Sequence, residues 1–417
     1  HKYNKVLQTS EINMSKNTLL NSKQETGTYQ NQIRVLQLIQ SEKEITRADI
    51  IHITGLSAPT ITRIIDALLT KKIITQEGLG SSKGGRPPQI IKFNSKRNYV
   101  IGIDIGGTFV RAALSNLDGE FLYEIHLPTD IDQGFERVME QIGELIQKLQ
   151  NRAKAKRDNI FGVGVAVCGI VNKQTERVDY SPVFNWTNKD VKSALSAYTD
   201  LRIVIGNVAR LIAQGELLYG IGKKHSHFIS INLGYGIGSG IIINGQPLYG
   251  ADGYAGEFGH IVVDKYSKKK GRENINGTVE ALASGYGITE ITLEKIEEGR
   301  KTVLTKAGLK NIDAKKIINA AIKGDELALE VINDATEYIG IGIDTLIKVF
   351  NCQAIVISGG LARNGDFLLD KIRKKVKQLS LPSVATEPEI IPSSFGEDAA
   401  LMGAFSLILE KVLMLDY

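Results

Sequence analysis

Cysteine is nearly absent: Cys168 and Cys352 are the two in 417 residues. They fall in separate apolar stretches and match no metal-ligand spacing, which excludes a disulfide framework and a cysteine-rich metal module and reads as core thiols in a reducing compartment. Long apolar runs are missing as well. The most apolar stretch, residues 228–250, is broken by glycine and asparagine too often to cross a bilayer, and no charged, apolar, small layout opens the chain. A cytoplasmic protein with no membrane partner is therefore expected. Charge of one sign is also lacking, since 51 Lys and Arg against 46 Asp and Glu leave a net +5, so only the distribution of charge can identify a partner. The first residue is not Met; Met14 is a candidate natural start, on which nothing else rests. At 42% hydrophobic and 23% charged the composition is that of a soluble globular chain, and the length suits about three domain-sized units.

Glycine, by contrast, is plentiful at 42 residues, and its placement is informative. Residues 100–108 read V-I-G-I-D-I-G-G-T: an apolar run carrying Asp104 drives into Gly106, Gly107 and Thr108. The strand should end with a buried carboxylate and with backbone N–H groups free to face a phosphate or a polyol; a plain tight turn is the alternative. The pattern recurs at 229–238, I-S-I-N-L-G-Y-G-I-G, with Gly234, Tyr235 and Gly236 at the turn, and such recurrence signals a repeated unit.

Before the first glycine turn the pattern is helical. Residues 1–28 are polar without a period and read as a mobile arm. Ile33, Leu36, Leu38 and Ile39 predict a short amphipathic helix, and T-x-x-D at 46–49 predicts the start of a second that ends near Gly55. Ser57 can cap a third, whose Ile61, Ile64, Ile65, Leu68 and Leu69 fall on one face. This is a helix-turn-helix pattern, extended to a winged one by strands around 73–75 and 89–93 that flank a glycine-rich tip. The outer face of the third helix carries Pro59, Thr60, Thr62, Arg63 and Asp66, short polar groups plus one arginine suited to base edges and phosphates, and Ser57 at its cap joins the DNA-contact set. Arg47, Lys83 and Arg86 complete the DNA-contact set, Arg86 within a G-G-R-P stretch that could enter a minor groove. A protein-binding winged helix with a solvated basic loop is the other reading.

From residue 99 onwards the signals change to strands. Strands are predicted over 99–105, 108–114 and 120–126, a helix over 133–152, a buried strand F-G-V-G-V-A-V from Phe161, a strand over 201–205 and a helix over 209–219. The second half starts over, with strands at 228–233 and 239–243 and a hairpin at Asn244-Gly245. Helices then dominate 280–349, before a strand at 354–358, Gly359-Gly360 and a last helix over 399–412. Two α/β lobes facing one another over a cleft walled by both glycine turns are expected.

These motifs resemble the ROK family of sugar kinases and sugar-responsive repressors. D-I-G-G-T at 104–108 and L-G-Y-G-I-G at 233–238 are similar to its phosphate motifs, V-I-S-G-G at 356–360 to its adenosine motif and G-E-F-G-H at 256–260 to its sugar signature. The winged helix resembles that of the family's repressors. The resemblance implies an α/β actin-like two-lobe (ribonuclease H-like) sugar kinase fold preceded by the winged helix-turn-helix domain. The units would be an arm at 1–28, the winged helix at 29–97, a first lobe at 98–218 plus 396–417 and a second at 219–395.

Three departures from the family pattern bear on function. Where the kinases carry Asn-Asp, whose Asp is the general base, this chain has Asn207-Val208; a positioned base is typically worth about a hundred- to ten-thousand-fold in rate. Glu216 lies about two turns along the next helix, too far to substitute. Tyr235 stands where the kinase turn has Thr, a substitution expected to hinder ATP or to point away. The family's zinc loop has lost its cysteines, whose places align with Gly271, Glu273 and Thr278, so no metal is expected and the loop at 266–276 should be held by packing or be mobile. Asn207, Glu257, His260, Glu280 and Asn185 are implied as sugar contacts; solvated carboxylates and an Asn207 that merely caps a helix are the plain alternatives. The expectation is a homodimeric or dimer-of-dimers repressor that binds operator DNA and a monosaccharide, xylose or a hexose, without catalysis or cofactor. A sugar kinase with a DNA-binding domain, and a DNA-binding protein whose lobes only dimerise, are the rivals.

Overall fold

Two five-stranded sheets in this chain are built on one strand order. A computed structural model describes residues 30–79, 89–96, 98–154, 159–172, 174–272, 274–363, 366–381 and 387–413. They gather into two compact units: one runs up to Asn98 and takes in the chain from Leu409 onwards, the other spans Tyr99 to Ile408.

The first unit contains α1 (30–42), β1 (Ile45–Thr46), α2 (Arg47–Thr54), α3 (Ala58–Thr70), β2 (Ile74–Leu79) and β3 (Gln89–Phe93). Its helix ends are set as the sequence predicts. Thr46 and Asp49 form a reciprocal capping box at the start of α2, Gly55 closes that helix in the left-handed conformation (φ 68°), and the Ser57 hydroxyl caps α3. Each side-chain cap contributes about 1 kcal/mol. Ile61, Ile64, Ile65 and Leu68 are buried along α3, which fixes the opposite face outwards. β2 and β3 pair antiparallel and β1 adds to β3 through Ile45↔Ile91, giving the order β1-β3-β2.

The second unit opens with β4 (Asn98–Ile105), β5 (Phe109–Asn116), β6 (Phe121–Pro128) and α4 (Gly134–Lys154). Then follow β7 (Asn159–Val167), β8 (Ile170–Val171), β9 (Val178–Ser181), β10 (Trp186–Lys189), α5 (Val191–Leu195), β11 (Ile203–Asn207) and α6 (Val208–Tyr219). The second half comprises β12 (Phe228–Leu233), β13 (Ile237–Ile243), β14 (Gln246–Pro247), α7 (Val279–Ala283), α8 (Gly285–Glu297), α9 (Ala314–Ile322) and α10 (Glu326–Phe350). It closes with β15 (Ala354–Ser358), α11 (Asp366–Leu379), β16 (Glu389–Pro392) and α12 (Ala399–Leu413).

The first sheet has the order β11-β7-β4-β5-β6 and the second β16-β15-β12-β13-β14. Each begins with a three-strand antiparallel meander and gains its last strand in parallel, so the recurrence read from the glycine turns is a duplication of topology. Isoleucine, valine and leucine fill a separate core in each lobe, around Ile101, Val165 and Leu145 in the first and Ile231, Ile339 and Ile355 in the second. The Asn244-Gly245 hairpin has both residues at positive φ (53° and 69°), the two-residue turn the sequence predicts.

Two boundaries shift in ways that matter. The strand expected at 201–205 lies at Ile203–Asn207, because pairing with β7 starts at Ile203↔Val163 and ends at Asn207↔Val167. Asn207 thereby becomes both the last residue of a strand and the cap of α6. The small sheet β10-β9-β8, with Phe184 and Trp186 stacked at 4.4 Å, had no counterpart in the sequence reading.

Candidate functional site

The C-terminal ends of β4, β7 and β11 carry Asp104 and lead to Cys168 and Asn207. The first glycine turn is more occupied than the sequence suggests. The Gly106 N–H donates to the Phe109 carbonyl at 3.0 Å, and the Thr129 hydroxyl donates to the Gly106 carbonyl at 2.7 Å, so that N–H is not free to face an anion. Space at Gly107 is limited by Val183, 2.6 Å from where a Cβ would stand. Asp104 is half-buried and pairs in register with Arg111, whose guanidinium also holds Glu124 and Asp398. Burial pushes the Asp104 carboxyl up to about 6, against the pull of Arg111. The Cys168 thiol is pushed up to about 12, chiefly by burial, with Asp104 and Glu280 adding to the rise and Arg272 opposing it. Groups from both lobes thus act on one point.

Asn207 uses both ends of its amide. Its Oδ1 accepts from the Arg210 N–H at 3.1 Å, capping α6, and its Nδ2 donates to the Gly169 carbonyl at 2.8 Å. Val208, next in line, is 8% exposed. Glu216 is fully buried and accepts from the Ser393 hydroxyl, the Ser394 N–H, the Ser394 hydroxyl and the Ile221 N–H at 2.7, 2.7, 2.8 and 3.3 Å. Those contacts commit it to the crossover after β16.

Sequence reasoning missed Arg210. It is buried in the first turn of α6, where a cation opposes the helix dipole, donates to the Gly253 carbonyl and lies 5.0 Å over the Tyr249 ring. Burial lowers its pKa, with Tyr249 and Glu257 opposing. A lone arginine in V-A-R-L-I-A was the available signal.

Glu257 and His260 meet at 3.5 Å (Oε2 to Nε2), both about one-third exposed, around a single helical turn at Phe258–His260. Glu280, the first-turn acid of α7, accepts from the Ile237 N–H at 2.8 Å with the oxygen that lies 2.7 Å from where a Cβ on Gly236 would stand. A side chain there would crowd that oxygen, so the carboxylate would have to shift from its present approach. Asn185 is exposed at φ 53° in the β9–β10 hairpin.

The second glycine turn is anchored on α8. The Gly285 N–H donates to the Gly234 carbonyl at 2.9 Å and the Tyr286 N–H to the Tyr235 carbonyl at 3.1 Å. Tyr235 points outwards, 59% exposed, with the Arg272 guanidinium 4.0 Å over its ring. Of the positions that the family resemblance assigns to zinc ligands, those described offer no set that fits a metal. Gly271 has no side chain to offer a ligand atom, the Thr278 hydroxyl caps α7 by accepting from Ala281 N–H at 3.1 Å, and His260 lies against Glu257; Glu273 is outside the described residues. Among those residues, no group of three or more His, Cys, Asp or Glu could hold an ion.

On the winged helix, the cap residue Ser57 and Pro59, Thr62 and Arg63 of α3 are exposed, while Thr60 is half-buried with its hydroxyl 2.8 Å from that of Ser57. Arg47 is paired with Asp66 at 2.7 Å, and Lys92 with Glu44 at 2.7 Å. Lys83 and Arg86 lie outside the described residues.

A winged helix joined to a duplicated two-lobe α/β domain with strand-end glycine turns defines a DNA-binding module on a sugar-kinase-like fold. The ROK family matches residues 100–411, and the winged helix-turn-helix DNA-binding family matches residues 30–75; the chain belongs to the ROK family. It is 28% identical over 384 residues to the xylose repressor of Caldicellulosiruptor bescii, covering 92% of this chain and 96% of that protein. It is 30% identical over 318 residues to the glucokinase of Halalkalibacterium halodurans, covering 75% of this chain and 96% of that one. The crystal structure of a ROK family transcriptional regulator, a homologue of the E. coli MLC protein, superposes with a TM-score of 0.78 at 25% identity, over 93% of this chain and 98% of that one. No helix among the described residues is long and apolar enough to cross a membrane.

Proposed function

We propose that the protein is a sugar-responsive transcriptional repressor that binds operator DNA through residues 29–97 and a monosaccharide, xylose or a hexose, between its lobes, without phosphorylating it. In this reading the lobes are 98–218 plus 396–417 and 219–395, and Asn207, Glu257, His260, Glu280 and Asn185 contact the sugar. The observation that carries the reading is Val208: an apolar residue, 8% exposed, stands beside Asn207 where a general base would have to be. The nearest carboxylate along α6, Glu216, is held by Ser393 and Ser394. The relatives that match 92% of the chain and are named xylose repressors support the same class.

Mechanistically, a sugar that touches both lobes favours one lobe arrangement and shifts the spacing of two winged helices in a dimer. It can do so only by its difference in affinity for the two states. The kinase reading, favoured by the glucokinase relatives, is separated by a coupled ATPase assay over a panel of pentoses and hexoses. The repressor reading expects sugar-dependent thermal stabilisation, a change in operator affinity and no turnover above background; sustained turnover with any sugar overturns it.

A further inference from the structure

The stretch from Ile261 to Val279 joins His260 to Glu280, so those two side chains stand at its two ends. Its base is closed by backbone pairing: Val262 bridges Thr278, and the Val263 and Asp264 N–H groups both donate to the Gly277 carbonyl at 2.9 and 3.2 Å. Higher up, Lys270 bridges Asn276 and Lys269 is ion-paired with Glu294 on α8. At the tip, Gly271 N–H donates to Ile275 O and Asn274 N–H to Gly271 O, both at 3.1 Å, a tight turn that carries Arg272.

The Arg272 guanidinium has no hydrogen-bond or ion-pair partner among the described residues. It lies instead on two tyrosines, 4.0 Å over the ring of Tyr235 and 5.4 Å over that of Tyr286, whose rings meet edge to face at 6.0 Å. Tyr235 is the centre of the second glycine turn, and Tyr286 is tied to it through the backbone bond from its N–H to the Tyr235 carbonyl. A guanidinium prefers this geometry, since its flat face is weakly hydrated and the ring quadrupole attracts it. Two departures that looked separate in the sequence, the tyrosine in the turn and the cysteine-free loop, are therefore in contact.

We infer that Arg272, Tyr235 and Tyr286 form a cation–π clamp that tethers this loop to the glycine turn in place of a metal ion, making Arg272 a positioning residue for His260 and Glu280. The inference rests on the sugar reading only in what the loop positions; the tether itself is independent of it.

The test combines hydrogen exchange over residues 262–278 with sugar-dependent thermal stabilisation, using the sugar that stabilises the full-length protein best. Arg272→Ala and Tyr235→Ala should each speed exchange in that stretch and weaken sugar affinity by about three- to tenfold, the range expected of a partly exposed cation–π contact. The double variant should be no worse than Arg272→Ala alone, because that substitution already removes the contacts with both rings. Tyr235→Phe, which keeps the ring face, should behave as the parent. EDTA and added zinc should leave exchange unchanged, and sugar-free operator affinity should be the same in every variant. The inference is overturned if Arg272→Ala leaves exchange at the parent rate, if the two alanine effects add, or if zinc protects the loop. Where no sugar stabilises the parent protein, the sugar reading fails and the exchange arm still decides the clamp.

Discussion

The side-chain amide of Asn207 donates to the carbonyl of Gly169 across 2.8 Å, while its oxygen caps α6 at Arg210. One residue thus joins the end of β11, the start of a helix and the loop after β7. Asn207→Asp retains the cap oxygen and loses the donor, whereas Asn207→Ala loses both. The alanine variant should lose about 1–2 kcal/mol and the aspartate variant less, read by chemical denaturation. Sugar-dependent stabilisation should fall in both, which separates a binding role from capping alone.

Glu216 makes a stronger prediction. Its carboxylate satisfies donors from Ser393, Ser394 and Ile221 in a site with no solvent exposure. Truncation to alanine leaves those donors unpaired, at about 1–3 kcal/mol for each one that stays dry. Glu216→Ala should therefore be severely destabilised in thermal unfolding and Glu216→Gln much less so. A Glu216→Ala protein with the parent melting temperature would contradict this account of the crossover.

Asp104 predicts a pH dependence. Its folded pKa is raised to about 6 from 3.8, so the stability linked to its protonated form is complete below about pH 4 and is lost as pH rises through 6. Two units correspond to about 3 kcal/mol, and solvent access to this half-buried group reduces that to about 1–2 kcal/mol. Asp104→Asn should therefore gain on the parent between pH 4 and 7, as measured by denaturant midpoints across that range.

For the winged helix, Arg63→Ala on the exposed face of α3 should lose discrimination between operator and mismatched DNA. Arg86→Ala should weaken binding to both and lower the salt slope by about one unit. If neither substitution moves operator affinity in a gel shift, the DNA-contact assignment is wrong.

The winged helix was legible because its signals are local. Thr46, Asp49, Gly55 and Ser57 act on their own helix ends, and the isoleucines of α3 declare a buried face by spacing. The duplicated lobes were legible because each glycine turn follows an apolar strand. What escaped depends on contacts between distant stretches. Nothing near Arg210 announces Gly253 as its acceptor, nothing near Tyr235 announces Arg272, and the pairing that carries β11 through to Asn207 depends on β7. The occupied Gly106 N–H likewise depends on how Phe109 turns back, which spacing alone leaves open.

The cap and the buried acid sit at opposite ends of the same helix. At 1.5 Å per residue, α6 is a stiff strut of about 18 Å, with Asn207 at its head and Glu216, locked to Ser393 and Ser394, near its foot. One rigid element therefore fixes the distance between the end of β11 in the first sheet and the chain as it leaves β16 in the second.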